Sequence, residues 1–337
     1  MVPDTPSLVV YRPGNGLVGL VIIGRNEGDR LRRCIDSVRG AGRPIVYVDS
    51  GSTDGSMEMA QAEGIEVLAL DLRLPFTAAR ARNTGYSHLA ALVPGLPYVQ
   101  FVDGDCEVLP GWIDAAQAFL ESRADVAALC GRLRERHPER SVYNLLCDME
   151  WQAPSGESRS TGGNAMLRST ALSAAGGYRE DLIAGEEPEL CVRLRLAGWK
   201  IWRLPEDMAL HDAAMTSFGQ WWKRTKRGGH AAAEGAALHG APPEWHNVAQ
   251  MWRSVLWGAV LPIAIATLSL VRPTWSFLWL AYPLQVLRLS LRGGIERRDV
   301  WLRSTFLVLG RFPEALGVLT YWLNRLRRRQ ANIIEYK

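Results

Sequence analysis

Apolar residues recur along the first hundred positions in two alternating rhythms. Residues 18–23 form an unbroken apolar run suited to a buried strand, and residues 29–39 set Leu31, Ile35 and Val38 at helical spacing among polar neighbours. The rhythm repeats. Residues 44–48, 65–70 and 98–102 read as further strands, and residues 54–63 and 75–92 as helices, with Pro75 suited to a first helical turn. Strand alternating with helix in this way predicts parallel strands with helices packed on the sheet, an α/β fold. Residues 1–16 precede the pattern with three Pro and two Gly, and are expected to form a loose lead-in.

In an open α/β sheet, ligands sit beyond the carboxyl ends of the strands. Those ends are rich in acid and amide here. The first predicted strand runs into Gly24-Arg-Asn-Glu-Gly28, the second into Asp49-Ser-Gly-Ser-Thr-Asp-Gly-Ser56, and the fourth into Asp103-Gly-Asp105. Two carboxylates flanking Gly104 can share a hard divalent cation such as Mg²⁺, although acidic turns also occur as solvated loops. Asp49, at a strand tip, is placed to accept hydrogen bonds from a base or ribose. Asp54 is placed to cap the helix that follows. Arg80, Arg82 and Asn83 add polar groups to an apolar stretch, and a guanidinium fork suits a phosphate, or equally a solvated helix face.

Composition changes the picture mainly in the second half. A net charge of +4 over 337 residues does not make a polycation that seeks nucleic acid. Of the thirteen Trp, eight lie between Trp221 and Trp301 among apolar runs, and Trp concentrates at membrane interfaces. Residues 216–240 mix Trp221 and Trp222 with Lys223, Arg224, Lys226 and Arg227, which predicts an amphipathic helix on an anionic membrane surface. Nucleic-acid binding is the competing reading of that mixture, and the neighbouring apolar runs argue against it. Residues 241–337 then read as membrane helices, with spans at 252–271 and 274–291 and an interfacial or re-entrant helix at 304–323, which contains Arg311, Pro313 and Glu314. Arginines at 288–303 and 325–329 place both flanks in the cytoplasm. Five Cys without Cys-x-x-Cys spacing indicate neither a disulfide framework nor a zinc site, and the first residues lack a signal-peptide pattern. The catalytic half is expected on the cytoplasmic face.

Five stretches carry a more specific likeness. Val21-Ile-Ile-Gly-Arg-Asn-Glu27, Val48-Asp-Ser-Gly-Ser-Thr-Asp-Gly-Ser56, Ala81-Arg-Asn-Thr-Gly85, Phe101-Val-Asp-Gly-Asp105 and the run from Gly185-Glu-Glu-Pro-Glu189 to Trp199 resemble, in that order, the motif series of family 2 glycosyltransferases. The resemblance implies a GT-A fold over residues 17–215, a Rossmann-like and mostly parallel sheet flanked by helices. It implies inverting, single-displacement transfer from a nucleotide-sugar donor, UDP- or GDP-linked. The acceptor would be lipid-linked, as on a polyprenyl diphosphate, or otherwise held at the inner membrane, in envelope or exopolysaccharide synthesis.

Residue roles follow from the same resemblance. Arg25, Asn26, Glu27, Asp49, Ser50 and Gly51 would bind the nucleotide sugar, with Arg82, Asn83, Asp103 and Gly104. Asp105, with Asp103 and His211, would hold Mg²⁺ or Mn²⁺. Glu187, beside Glu186, would be the general base. Gly162, Gly163, Asn164, Gln220, Trp221 and Arg224 would face the acceptor or the diphosphate. Two positions depart from the pattern: Ile23 stands where many relatives have Pro, and Glu187 where Asp is common. Pro188 fits the first position of a helix running to residue 197, which makes Glu187 its cap, and Glu caps poorly. A base or an ordinary acidic first turn would account for it. A nucleotidyltransferase of similar fold and a non-catalytic membrane scaffold are the alternative functions.

Overall fold

A computed structural model describes residues 17–40 and 42–328. The expected lead-in at residues 1–16 and the basic position Arg329 lie outside the described residues. Among the described residues nine strands form one sheet: β1 Val18–Gly24, β2 Ile45–Asp49, β3 Glu66–Ala69, β4 Tyr98–Asp103, β5 Cys106–Val108, β6 Val126–Glu135, β7 Gly156–Ser158, β8 Ala165–Arg168 and β9 Lys200–His211. Their order is β3-β2-β1-β4-β8-β6-β9-β5, with β7 paired to β9. Pairings among β3, β2, β1 and β4 are parallel, whereas β8 joins β4 antiparallel. The sheet is therefore mixed, and its parallel part is the part whose strand–helix alternation is visible in the sequence.

Register positions the strand ends. Gly24 lies opposite Asp49 and Ile23 opposite Asp103, so the tips of β1, β2 and β4 finish on one edge. Through Leu196 the α-helices are, in chain order, α1 Asp29–Val38, α2 Ser56–Ala62, α3 Ala78–Leu92, α4 Trp112–Ser122, α5 Val142–Trp151, α6 Ser169–Ala174 and α7 Glu186–Leu196. Helix α1 buries Leu31, Cys34, Ile35 and Val38, the stripe its periodicity predicts. Helix α3 lies close on the sheet because residue 85 is Gly: a Cβ there would come within 2.4 Å of Val21.

Three expected boundaries shift. Thr77, not Pro75, starts α3, because its hydroxyl accepts the Arg80 N–H at 3.1 Å. Helix α2 begins at Ser56, whose N–H donates to Asp54 at 3.1 Å, so Asp54 acts one residue before the Gly55 cap. Helix α7 begins at Glu186, which puts Glu187 inside the first turn rather than at the cap.

Two compact units divide the chain. The first takes it through Leu133, with Pro154–Tyr178 and Arg193–His211; the second has Arg134–Ala153, Arg179–Val192 and everything from Asp212. The second unit is helical. A Ser217–Gln220 capping box starts α8 Phe218–His239. It is followed by α9 Val248–Val255, a π-helical turn Leu256–Val260, α10 Leu261–Val271, a 3-10 segment Pro273–Leu280, α11 Ala281–Gly293, α12 Arg298–Leu309 and α13 Arg311–Leu326. Val248–Val271 is one continuous run, and among the described residues it is the one helix long and apolar enough to cross a membrane. The second expected span is a 3-10 segment joined to α11, and the helix expected at 304–323 is broken at Gly310.

Helices α8 and α13 meet backbone to backbone at glycines. A Cβ at Gly229 would lie 2.1 Å from the Glu314 carbonyl oxygen, while one at the adjacent Gly228 would meet nothing within 4 Å. Gly229→Ala is accordingly expected to destabilise by about 1–3 kcal/mol through overpacking. Gly228→Ala should stabilise by about 0.5–1 kcal/mol through reduced backbone freedom. Thermal unfolding of the two variants checks this, and shifts of the same sign would refute the packing.

Candidate active site

The first unit concentrates polar side chains at the end of β4. Arg82, on α3, has 3% of its side chain exposed and donates to Asp103 Oδ1 at 2.8 Å. Asn164 closes the other side: its Oδ1 accepts the Asp103 N–H at 2.9 Å and its Nδ2 donates to Asp103 Oδ2 at 3.4 Å. Gly163 leaves room for the pair, since a Cβ there would stand 2.7 Å from Arg82 Nη2 and 2.8 Å from Asp103 Oδ2. Gly162, with φ +89°, turns the chain into this contact. Gly104 lets the chain leave β4 tightly, its N–H donating to Ile23 O at 2.8 Å.

A second pair follows at once. Antiparallel pairing sets Cys106 of β5 opposite His211, the last residue of β9. That register brings His211 Nε2 within 3.0 Å of Asp105 Oδ2. Asp105, Cys106 and His211 each offer a ligand atom within 4.8 Å of the others. A carboxylate and an imidazole suit Mn²⁺ and can serve Mg²⁺, whereas a thiol is a soft ligand for either. Asp105 and His211 thus fit a divalent cation that completes its shell with other oxygens. Local charge agrees: burial first, then the negative charges of Asp105, Asp103 and Glu27, push the Cys34 thiol well up, so it stays protonated.

The β1 and β2 tips are built differently. Asp49 is fully buried and spends its carboxylate locally, accepting from Tyr47 OH, Gly51 N–H, Ser52 N–H and Ser52 OH. It shapes the loop that carries Ser50 and Gly51. Burial, then the Asp49 charge, drives the Tyr47 phenol far up, which keeps it a hydrogen-bond donor. Asn26, at φ +56°, accepts the Thr53 N–H at 2.8 Å and so ties the first tip to the second. Arg25 lies over the Phe76 ring at 4.5 Å, and Glu27 pairs with Arg30 at 2.8 Å. Asn83 faces elsewhere, clamping both backbone groups of Tyr178 at 2.8 Å.

Comparison with known proteins gives this edge a family. The profile of Glycosyl transferase family 2 matches residues 20–172, the stretch that carries all of these tips except His211. The chain carries a family 2 glycosyltransferase domain. It is 30% identical over 239 residues to the pre-mycofactocin glycosyltransferase of Mycobacterium tuberculosis, a match covering 67% of this chain and 49% of that protein. It is 27% identical to the succinoglycan biosynthesis protein ExoA of Rhizobium meliloti, covering 54% of this chain and 59% of the relative. The chain thus spans about half the length of the mycobacterial protein. A mannosyltransferase from Pyrobaculum calidifontis has a similar fold, with a TM-score of 0.63 at 19% identity, covering 94% of this chain and 90% of that one. Residues 1–349 of Staphylococcus aureus TarS align with a TM-score of 0.51 at 12% identity, covering 93% and 92%.

The remaining candidates of this family 2 protein belong to the second unit. Glu187 is buried and accepts from Cys191 Sγ at 3.0 Å, one helical turn on. Glu186 is half-buried beside it. Glu189, also buried, pairs with His239 at 2.9 Å and fastens α7 to α8. Gln220 uses its side chain to cap α8, and Trp221 packs edge-on against Phe306 at 4.9 Å. Arg224 pairs with Glu150 at 2.7 Å. Spacing rules that sought Cys-x-x-Cys passed over Cys106, although its place next to Asp105 was visible.

Stability should expose the charge coupling at β4. Asp103→Ala takes one carboxylate partner from the buried Arg82 cation, an expected loss of about 3 kcal/mol in urea unfolding. Removing both charges, as Arg82→Met with Asp103→Ala, should recover about 1 kcal/mol or more of that loss. A double variant no more stable than Asp103→Ala would mean that the pair does not govern this edge.

Proposed function

We propose that the protein is an inverting glycosyltransferase that moves a sugar from a nucleotide-sugar donor to a membrane-held acceptor. The observation that carries this reading is the adjacency of two pairs, Arg82–Asp103 and Asp105–His211, at the strand edge of a family 2 domain. A nucleoside diphosphate needs both parts: a polar cradle for the nucleoside and compensation for the phosphates. Arg25 and the backbone of residues 50–52 line the side of the base, in a loop that Asp49 holds rigid. Asp103, a third exposed, is available to the ribose.

When bound at Asp105 and His211, a Mg²⁺ or Mn²⁺ ion supplies Lewis-acid compensation for charge on the leaving diphosphate. The P. calidifontis enzyme of similar fold, seen with GDP-Man and Mn²⁺, and TarS, seen with UDP-GlcNAc, support such a donor. Glu187 is the general base. Its carboxylate takes the proton of the acceptor hydroxyl as that oxygen attacks the anomeric carbon, and the bond from that carbon to the diphosphate breaks, so configuration inverts. The Cys191 thiol donates to Glu187 Oε1 and orients the carboxylate.

Similarity to a succinoglycan biosynthesis protein supports a role in polysaccharide assembly. The long apolar helix of the second unit supports an acceptor carried at the inner membrane, lipid-linked, with residues 17–215 on the cytoplasmic face.

A panel of UDP- and GDP-sugars, incubated with protein, Mn²⁺ and membrane lipid, tests the reading through release of nucleoside diphosphate. At least one donor should be consumed. Glu187→Gln and Asp105→Ala should lower turnover by at least about 100-fold while the protein remains folded by circular dichroism. Release of sugar 1-phosphate instead, with the nucleoside monophosphate moved to the acceptor, would indicate nucleotidyl transfer, and turnover by no donor would defeat the proposal.

A further inference from the structure

The second unit carries a hairpin whose dimensions and charges are those of a bilayer insert. Its first arm is the continuous run Val248–Val271; its second is the 3-10 segment Pro273–Leu280 with α11. The arms run back along each other, for Tyr282 OH donates to Trp257 O at 2.7 Å and the two rings stand edge to face at 5.9 Å. Away from that contact the surface is apolar and open: Ile263 is 66% exposed, Leu270 88% and Val271 74%. Trp275, Phe277, Trp279 and Leu280 continue the exposed apolar surface on the returning arm. In water such a patch would be a liability far larger than single exposed hydrophobes.

Cations frame it at three points and are absent between them. Arg253 marks the base of the first arm, Arg272 the tip and Arg288 the base of the second. From Arg253 to Arg272 the helix rises about 28 Å. From Arg272 to Arg288 the tighter 3-10 segment and the α-helical turns after it also rise about 28 Å. Both arms therefore match a hydrocarbon core of about 30 Å. Indoles sit next to these cations, Trp252 at the base and Trp275 near the tip, where membrane-interface Trp belongs. At the base, Glu314 accepts from Ser254 at 2.5 Å and from Arg311 at 2.7 Å, so this charged cluster stays level with Arg253.

We infer that residues 253–288 cross the membrane twice and deliver Arg272 to the headgroup layer on the side opposite Arg253 and Arg288. A shallow insertion would leave the Arg272 guanidinium and the non-helical turn at Arg272–Pro273 in hydrocarbon, where neither is solvated. A second copy of the chain could cover apolar surface, but it would not require cations at each end of two arms of equal length. Arginines are more numerous at the base, where Arg288, Arg292, Arg297, Arg298 and Arg303 follow the second arm, which keeps that side cytoplasmic. The inference deepens the membrane location proposed above and is independent of the transfer reaction.

All five native cysteines are buried, so an introduced thiol can be read against a low background. Thr274→Cys at the tip and Glu296→Cys at the base, both exposed positions, are expressed in cells and treated with a membrane-impermeant maleimide. The Thr274→Cys protein should react in intact spheroplasts, and the Glu296→Cys protein only after permeabilisation. Protection of Thr274→Cys from the external reagent, in protein that resists carbonate extraction, would overturn the double crossing while leaving membrane attachment in place. Recovery of the protein in the soluble fraction would overturn both.

Discussion

A buried guanidinium must be neutralised where it stands, and Arg82 imposes that condition on the first unit. Its helix is drawn onto the sheet by Gly85, which allows the approach to Val21, so the side chain cannot reach water. The carboxylate that answers it is Asp103, the last residue of β4. Asn164, the residue before β8, donates to that carboxylate and accepts the Asp103 N–H, and the absence of a side chain at Gly163 leaves the space. Four stretches of sequence thus converge on one charge pair. Taking one partner away costs more than the pair is worth, because solvent cannot replace the partner that the remaining buried charge has lost.

The tip beyond it inherits its position. Once β4 ends at Asp103, Gly104 turns the chain and β5 starts three residues after Asp103, at Cys106, so Asp105 is fixed between two strands. Pairing of β5 with β9 then decides which side chain meets it, and the register selects His211. A slip of one residue would send His211 to the other face of the sheet and remove the imidazole. The second unit supplies a different kind of order. There the candidate base Glu187 sits in the first turn of a helix that Glu189 fastens to α8 through His239, while α8 and α13 meet through glycines.

The legible part of the fold was the part with a single rhythm. Strands β1 to β3 are each followed by a helix, β4 closes the series, and the tips of β1, β2 and β4 carry the motif residues, so the parallel half and its edge could be read directly. The antiparallel half had no such signature. Strand β6 changes from the fully buried Val126–Cys130 to the exposed Arg132 and half-buried Arg134, and β9 carries Pro205, Glu206 and Asp207 within one long strand, which masks any period. Roles were less legible than places. Asp49 stands at the expected tip, but its four hydrogen bonds make it a loop-former, which depends on Tyr47 and Ser52 folding around it. Likewise the 3-10 arm after Pro273 looks, in composition alone, like an ordinary apolar helix.

The β4–β5 edge is proposed as a metal-assisted diphosphate site, and nucleotide binding tests it without needing the acceptor. Calorimetric titration of GDP and UDP into the protein, with Mn²⁺ and again after chelation, measures this directly. At least one nucleotide should bind with Mn²⁺ present and lose that binding when the ion is removed or when His211 is replaced by Ala. Binding that is indifferent to Mn²⁺ and to His211, or no binding of either nucleotide, would contradict the account.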